Sequence, residues 1–220
     1  MSQNLAHGQS TAAPAATGPD AFRTYERLAP IYDAIDAIYE VSWKRRLRAM
    51  LFEGAKGRIL DAGAGTGANV PFYPDAAPVV GIDLSPRMLE RARVKAAQLG
   101  KQAEFQEMDI RQTSFPDAHF DRIISTFTLC VLPKGQLTGA LRELGRIAKP
   151  DATIRILDYG PPTEGWAKAW LGLAQLWTRW AFAASYDSRT EDYVEAAGLD
   201  LVSVQPLMGG AVKLITLRPA

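Results

Sequence analysis

The chain has 220 residues, with 25 Lys and Arg against 24 Asp and Glu, so its net charge at neutral pH is only +1. A charge this balanced gives no general attraction to nucleic acid, and we expect no nucleic-acid partner. Hydrophobic residues make up 47% of the chain, enough for one domain with a sizeable core. We expect the protein to be a monomer. The single cysteine, Cys130, cannot form an internal disulfide, which favours a reducing, cytoplasmic location.

The first 54 residues divide into two parts. Residues 1–20 lack a basic start and an apolar run, which predicts a disordered tail rather than a signal peptide. Residues 21–54 predict an N-terminal helical cap that ends in a basic group, and residues 21–220 are then one domain. The basic residues are Lys44, Arg45, Arg46 and Arg48. Such a group is expected to form a solvated face, which could also strengthen peripheral adhesion to an anionic membrane.

After this cap, short apolar runs alternate with helical patterns. The runs are RILDA, VVGID, AEFQEM, FDRIIST and TIRILDY, at residues 58–62, 79–83, 103–108, 120–126 and 153–159. The helical segments are a short one cut by Pro71, one opened by Ser85-Pro86 that runs to Gly100, and one from about Gly135 to Ala148. This alternation predicts an α/β protein, with a mostly parallel sheet and helices on both faces.

The C-terminal part follows a different pattern. The strands at 199–207 and 211–219 are separated only by MGG, too short for a crossover helix, so they predict an antiparallel hairpin. Residues 161–198 form a predicted helical insertion rich in tryptophan. Its apolar stripe consists of Trp166, Trp170, Leu173, Trp177 and Trp180. The stripe is expected either to pack in the core or to act as an acceptor lid or interfacial helix on anionic lipid. Lys168 and Arg179 interrupt the segment, so it should not span a membrane.

The stretch LDAGAGTG indicates a ligand site. Its three glycines follow an apolar strand directly, and glycine lets a ligand lie against bare backbone. Asp83 ends the next strand, where a carboxylate can accept hydrogen bonds from a ribose. No Lys or Arg lies between Asp61 and Pro71, so the ligand should bring no phosphate to the turn. A nucleoside with a charged amino-acid group instead of phosphate is S-adenosylmethionine. The glycine spacing disfavours a nicotinamide cofactor, and no metal is expected.

The segments LDAGAGTG, GIDLSPRML and MDI, with the hairpin ending, resemble the class I S-adenosylmethionine-dependent methyltransferases from about Tyr25 to the C-terminus. The resemblance implies a doubly wound, mostly parallel seven-stranded sheet, a Rossmann-like fold that binds S-adenosylmethionine and releases S-adenosylhomocysteine. It implies these cofactor residues: Asp61, Gly63, Gly65, Gly67, Asp83, Leu84, Met88, Asp109, Ile110, Ser125 and Thr126. Asp109 could alternatively be an ordinary turn cap.

The segment YERLAPIYD resembles two groups within that family, the soluble bacterial phosphatidylethanolamine N-methyltransferases and the ubiquinone/menaquinone C-methyltransferases. The first group is the nearer in length and ending. The resemblance places Tyr25 and Tyr32 in the active site, and Asp158 and Tyr159 follow from their position at the end of the fifth strand. Because the first group commonly carries Asn-His there, other acceptors stay open.

Three hypotheses follow for the function. The first is transfer of methyl to the amine of a membrane lipid head group or another amine. The second is transfer to a small soluble or apolar acceptor, such as a thiol or a quinone precursor. The third is a protein that binds S-adenosylmethionine without catalysing transfer.

Overall fold

A seven-stranded sheet forms the centre of the protein in a computed structural model, which describes residues 43–165 and 189–220. The strands are β1 (Ile59–Ala62), β2 (Val79–Asp83), β3 (Ala103–Glu107), β4 (Phe120–Thr126), β5 (Ala148–Tyr159), β6 (Leu199–Leu207) and β7 (Val212–Pro219). Their order across the sheet is β3-β2-β1-β4-β5-β7-β6. β1 to β5 are parallel, whereas β7 is antiparallel to its neighbours β5 and β6. The mostly parallel sheet and the C-terminal hairpin are therefore confirmed.

Helices cover both sides of this sheet. They are α1, Trp43–Phe52, α2, Pro86–Gln98, and α3, Lys134–Ile147. Leu51 of α1 and Leu89 of α2 belong to one buried apolar cluster, whereas Leu141 of α3 belongs to a second. Neighbouring strand residues divide between the two clusters, as Ile123 and Ile124 do, because successive side chains of a strand point to opposite faces. We call these sides the α1 face and the α3 face. The arrangement is the predicted doubly wound α/β fold.

Local sequence explains where α2 begins. Pro86 stands in its first turn, and the Ser85 hydroxyl accepts a hydrogen bond from the Met88 backbone N–H at 3.4 Å. This is the helix start that the sequence predicted.

The segment after β1 differs from its prediction. The short helix expected around Pro71 is only a 3-10 turn, Val70–Phe72. Gly63, Gly65 and Gly67 all have positive φ values, between 53° and 86°. A right-handed helix needs negative φ values, so it cannot begin in this part of the turn.

The strand order reverses between β1 and β4, since β2 lies on one side of β1 and β4 on the other. In open α/β sheets, ligands bind at the carboxyl edge of the strands at such a switch point. Asp83, Thr126 and Tyr159 end β2, β4 and β5 at this edge, and the glycine turn leaves β1 there. The fold thus brings the turn and the acidic residue of the predicted cofactor site to one edge.

Several predictions concern residues outside the described ranges. They are the disordered tail, the helical cap before residue 43 with Tyr25 and Tyr32, and the tryptophan stripe. Within residues 43–165 and 189–220, no helix has the length and apolar character needed to span a bilayer.

Candidate functional site

The glycine turn after β1 borders an open space at one position. A Cβ atom added at Gly65, where φ is 53°, would meet no atom within 4 Å. At Gly67 it would lie 2.9 Å from the Ala92 Cα of α2, so that glycine allows α2 to pack closely. At Gly63 it would collide with the Thr128 side chain. Of the three glycines, Gly65 is therefore the one at which a ligand could lie against the backbone.

Asp83 closes the turn from the neighbouring strand. Its Oδ2 accepts a hydrogen bond from the Gly65 N–H and its Oδ1 accepts one from the Ser85 N–H, both at 2.9 Å. Burial raises the pKa of Asp83, although these backbone hydrogen bonds oppose the shift. Each carboxylate oxygen keeps a lone pair that could accept from a ligand hydroxyl. The next residue, Leu84, is 39% exposed and gives the site an apolar surface beside this carboxylate.

A buried polar network lies under the turn. Asp61 is fully buried, and its carboxylate accepts hydrogen bonds from the Asn69 amide at 2.9 and 3.0 Å and from the Tyr73 hydroxyl at 2.6 Å. The Asn69 amide also donates to the Thr126 hydroxyl at 3.0 Å. These contacts join the first strand, the segment after the turn and the end of β4. Asp61 therefore fixes the shape of the turn from below.

Arg48 connects α1 to the same network. One of its nitrogens donates to the Asn69 Oδ1 and to the Thr126 hydroxyl, both at 2.8 Å. Arg48 and Lys44 are only 6% and 7% exposed, and both cations lie 5.5 Å from the centre of the Phe127 ring. The solvated-face prediction is therefore wrong for Lys44 and Arg48, because a helix turns residues four apart to the same side. It is confirmed for Arg45 and Arg46, which are exposed.

Arg48, Asn69 and Tyr73 are members of this network that were not predicted from the sequence. One signal could have found the first. Lys44, Arg48, Leu51 and Phe52 have the spacing of one helical stripe, and the apolar pair at its end marks that stripe as the inward face.

The electrostatics of the network centre on Asp61. Burial raises the pKa of Asp61 from 3.8 to about 6, against the opposing effects of the Tyr73 and Asn69 hydrogen bonds and the Arg48 charge. The folded-state pKa lies above the unfolded one, so the stability contributed by this group is fully present below about pH 4 and is lost as the pH rises through 6. Folding thus binds a proton here in mildly acidic solution.

Asp109 makes the contacts of a turn cap. It accepts from the Arg111 backbone N–H at 2.8 Å and from the Arg111 side chain at both carboxylate oxygens. Burial alone would raise the pKa of Asp109, but the hydrogen bonds and charge of Arg111 lower it overall. These contacts agree with the alternative given for Asp109, and a role at the adenine stays a prediction. The adjacent Ile110 is buried in the α3-face cluster.

The residues that end β4 and β5 form an aromatic wall. Phe127 follows Thr126 with a φ of 54°, a strained backbone for a residue with a side chain. Its ring packs against Tyr159, with centroids 4.7 Å apart. Ser125 points away from this wall, and its buried hydroxyl has no hydrogen-bond partner among the described residues.

Asp158 lies on the opposite side of the sheet from Asp61. It is fully buried and accepts from the Thr190 hydroxyl at 3.0 Å. Burial raises the pKa of Asp158, against the hydrogen bonds from Cys130 and Thr190. These contacts hold the chain after residue 188 on the sheet, and contact with an acceptor stays a prediction for Asp158.

The chain is similar to known methyltransferases in sequence and in structure. Residues 59–151 match the family model described as "Methyltransferase domain". The structure is similar to that of an S-adenosylmethionine-dependent methyltransferase from Clostridium acetobutylicum, with a TM-score of 0.66, 11% identity and coverage of 89% of this chain and 99% of that one. At this identity the likeness shows the shared fold.

Curated relatives are nearer in sequence. A phosphatidylethanolamine N-methyltransferase from Cereibacter sphaeroides is 34% identical over 145 residues, which cover 65% of this chain and 70% of that protein. The chain belongs to the S-adenosylmethionine-dependent methyltransferases. A second methyltransferase relative, a demethylmenaquinone methyltransferase from Thermus thermophilus, is 33% identical over 148 residues, covering 64% of this chain and 66% of that protein.

The methyl donor of this methyltransferase is S-adenosylmethionine, and the described residues fit it. Open space adjoins the Gly65 backbone, the Asp83 carboxylate is fixed beside it, and Leu84 offers an exposed apolar side chain. These three surfaces suit a nucleoside: it could lie against the protein backbone at the first, place its ribose hydroxyls at the second and pack its base on the third.

Asp83→Ala should weaken S-adenosylmethionine binding by about 1.5–3 kcal/mol, the range for hydrogen bonds to a charged group. The variant loses the carboxylate that would accept from the ribose hydroxyls. Calorimetric titration of the purified protein with S-adenosylmethionine measures the change. Asp109→Ala is the matched comparison, and a smaller loss is expected because Arg111 already occupies both oxygens of Asp109. Equal losses in the two variants would instead support an adenine contact by Asp109.

Proposed function

We propose that this methyltransferase transfers methyl groups to the amine of a phospholipid head group, either phosphatidylethanolamine or its methylated forms. The observation that carries the proposal is the relative from Cereibacter sphaeroides, 34% identical over 70% of its length, whose name states this activity. The segment YERLAPIYD, which resembles this group as well as the quinone methyltransferases, agrees with the proposal.

In this proposal the carboxyl edge of the sheet holds the donor. Gly65, Asp83 and Leu84 bind the nucleoside, and Thr126 lies under the methionine end. The remaining predicted cofactor residues, Asp61, Gly63, Gly67, Met88, Asp109, Ile110 and Ser125, shape the site around them. S-adenosylmethionine supplies a methyl group on a positively charged sulfur, and the protein has to align an acceptor with it and exclude water.

The acceptor side would be formed by aromatic residues. The Phe127 and Tyr159 rings pack together at the ends of β4 and β5, next to the strand end where Thr126 lies. Aromatic faces attract cationic amines, and the attraction persists as methyl groups are added. Tyr25 and Tyr32 would complete this pocket from the N-terminal segment, while Asp158 would support it from behind β5. The tyrosine hydroxyls are the groups that would orient the amine.

Contact with an anionic membrane would use the exposed side of α1. Arg45 and Arg46 point to solvent there, and each basic residue near an anionic surface adds about 1 kcal/mol of attraction. The inward-facing Lys44 and Arg48 would take no part, because they are buried against the sheet.

A second candidate acceptor is a quinone precursor. The relative from Thermus thermophilus, named a demethylmenaquinone methyltransferase, is 33% identical over 66% of its length. An apolar acceptor would use the same aromatic wall without needing a group that orients an amine. The two relatives are 34% and 33% identical to this chain, so the two acceptors have to be compared directly as substrates.

Incubation with S-adenosylmethionine and vesicles containing phosphatidylethanolamine and phosphatidylglycerol should release S-adenosylhomocysteine and give lipid that is heavier by one or more methyl groups. Mass spectrometry of the extracted lipid measures the product. Vesicles of phosphatidylglycerol alone control for hydrolysis of the donor, and the Asp83→Ala variant controls for a contaminating enzyme. Methylation of demethylmenaquinone in the same vesicles without methylation of phosphatidylethanolamine would overturn the proposal in favour of the second candidate.

A further inference from the structure

Three arginines lie together on the α1 face, away from the carboxyl edge. Arg155 lies between Ile154 and Ile156, whose side chains enter the α3-face cluster, and Arg122 precedes Ile123, which enters it too. Arg218 likewise follows Leu217 of that cluster. Because side chains alternate along a strand, all three arginines point to the α1 face.

The strand register makes these arginines neighbours. Arg122 pairs with Thr153, two residues before Arg155 on β5. On the other side, Arg155 pairs with Thr216 of β7, two residues before Arg218. Diagonal neighbours of this kind are about 7–8 Å apart, with their Cβ atoms somewhat closer, which is within reach of long side chains. We call this group, with Thr153 and Thr216 between its members, the arginine face.

The arginine face carries positive charge without a matching acid. Among the described residues, no ion pair joins Arg122, Arg155 or Arg218 to an Asp or Glu. Asp200 pairs with Arg218 in the register but forms no such ion pair. Burial and the charge of Arg155 both lower the pKa of Arg122, the response of a cation placed beside another cation.

Hydrogen-bond donors of this face are also unused. Arg155 donates from Nη1 to the Met50 carbonyl of α1 at 2.6 Å, which satisfies an acceptor near the end of that helix. In contrast, the buried Arg155 Nε and Arg122 Nη1 have no hydrogen-bond partner among the described residues. A buried donor left without a partner costs free energy, which a side-chain shift toward an acceptor would recover.

We propose that the arginine face binds a phosphate group, with Arg122, Arg155 and Arg218 as its cationic ligands. The guanidinium fork matches the oxygens of phosphate, and phosphate charge would offset the repulsion between neighbouring arginines. The hydroxyls of Thr153 and Thr216 can donate further hydrogen bonds. Arg122 lies four residues before Thr126, about 13 Å along the strand, so this site is distinct from the methyl-donor site.

The phosphate could belong to a lipid head group or to a soluble molecule, since both present the same oxygens. The proposal does not depend on which acceptor is methylated. A membrane source would add the exposed Arg218 to the basic surface of Arg45 and Arg46, because Arg218 lies on the same face of the sheet as α1.

Titration of the purified protein with inorganic phosphate, at constant ionic strength set by chloride, tests the site. We expect saturable binding that falls about ten- to a hundred-fold in Arg122→Gln and in Arg218→Gln, the equivalent of one charge-assisted hydrogen bond. Arg218 is exposed, so its variant should fold even if Arg122→Gln does not. Arg142→Gln is the matched control, because Arg142 is exposed on α3 and the charge change is identical.

Co-sedimentation with phosphatidylglycerol vesicles identifies the source of the phosphate. Weaker sedimentation of Arg122→Gln and Arg218→Gln than of Arg142→Gln would assign the site to lipid, and equal sedimentation with weaker phosphate binding would assign it to a soluble ligand. The proposal is overturned if inorganic phosphate does not saturate the protein, or if it binds both arginine-face variants as tightly as the control. Affinity for S-adenosylmethionine should stay unchanged in all three variants, which separates this test from that of the methyl acceptor.

Discussion

Gly65→Val is expected to abolish measurable S-adenosylmethionine binding while the protein stays folded. The backbone at Gly65 has a φ of 53°, and its Cα borders open space. Valine there would place a branched side chain in the space through which the donor must approach, and it disfavours the left-handed backbone by at least about 1–2 kcal/mol. A loss of affinity beyond about a hundred-fold is expected, because the turn could no longer contact the ligand. Calorimetric titration measures it, with circular dichroism to confirm the fold.

Gly100→Val is the control for this variant. Gly100 has a φ of 65° and also has no atom within 4 Å of an added Cβ, but it lies at the end of α2, away from the carboxyl edge. The two variants should lose similar stability, and only Gly65→Val should lose the donor. Tight binding of S-adenosylmethionine by Gly65→Val, or an equal loss of that affinity in both variants, would contradict the site assignment.

Arg48→Met is expected to lower the free energy of unfolding at pH 7 by about 3–5 kcal/mol, the cost of removing one partner from a buried charged network. Arg48 holds Asn69 and Thr126, and its charge keeps the pKa of Asp61 from rising further. Without that charge, ionised Asp61 loses the cation that opposes the rise in its pKa. Urea unfolding measures the loss, and Arg45→Met on the exposed side of α1 should change stability by less than about 0.5 kcal/mol.

The pH dependence separates this explanation from simple loss of packing. A rise in the pKa of Asp61 from 3.8 to about 6 corresponds to about 3 kcal/mol of stability that is present below pH 4 and lost above pH 6. Arg48→Met should therefore cost less at pH 5 than at pH 7, and less in an Asp61→Asn background. The same cost at both pH values and in both backgrounds would show that Arg48 acts only through packing.

The strands and the glycine turn could be predicted because their signals are local. An apolar run such as VVGID at 79–83 has one interpretation when it is followed by Ser85-Pro86, and the position of Asp83 follows from the strand alone. The short link at 208–210 likewise fixed the hairpin, because no crossover fits there.

The network under the turn could not be predicted in the same way. Arg48 and Thr126 are 78 positions apart in the chain, and their contact depends on which side of α1 meets the sheet. The positive φ of Phe127 could not be predicted either, because phenylalanine normally avoids this conformation. The arginine face depends on the register of β5 with two neighbours, the parallel β4 and the antiparallel β7. Register is a property of the assembled sheet.

The position of β7 has a consequence for how the protein is made. This strand is synthesised after the other six described strands, yet it lies between β5 and β6 rather than at the rim of the sheet. While the ribosome still holds residues 212–219, β5 has an unpaired rim and β6 has no partner. Nascent chains with an unpaired strand are prone to aggregate. A stop codon before residue 212 would thus remove an inner strand, leaving a translation product exposed to chaperones and proteases.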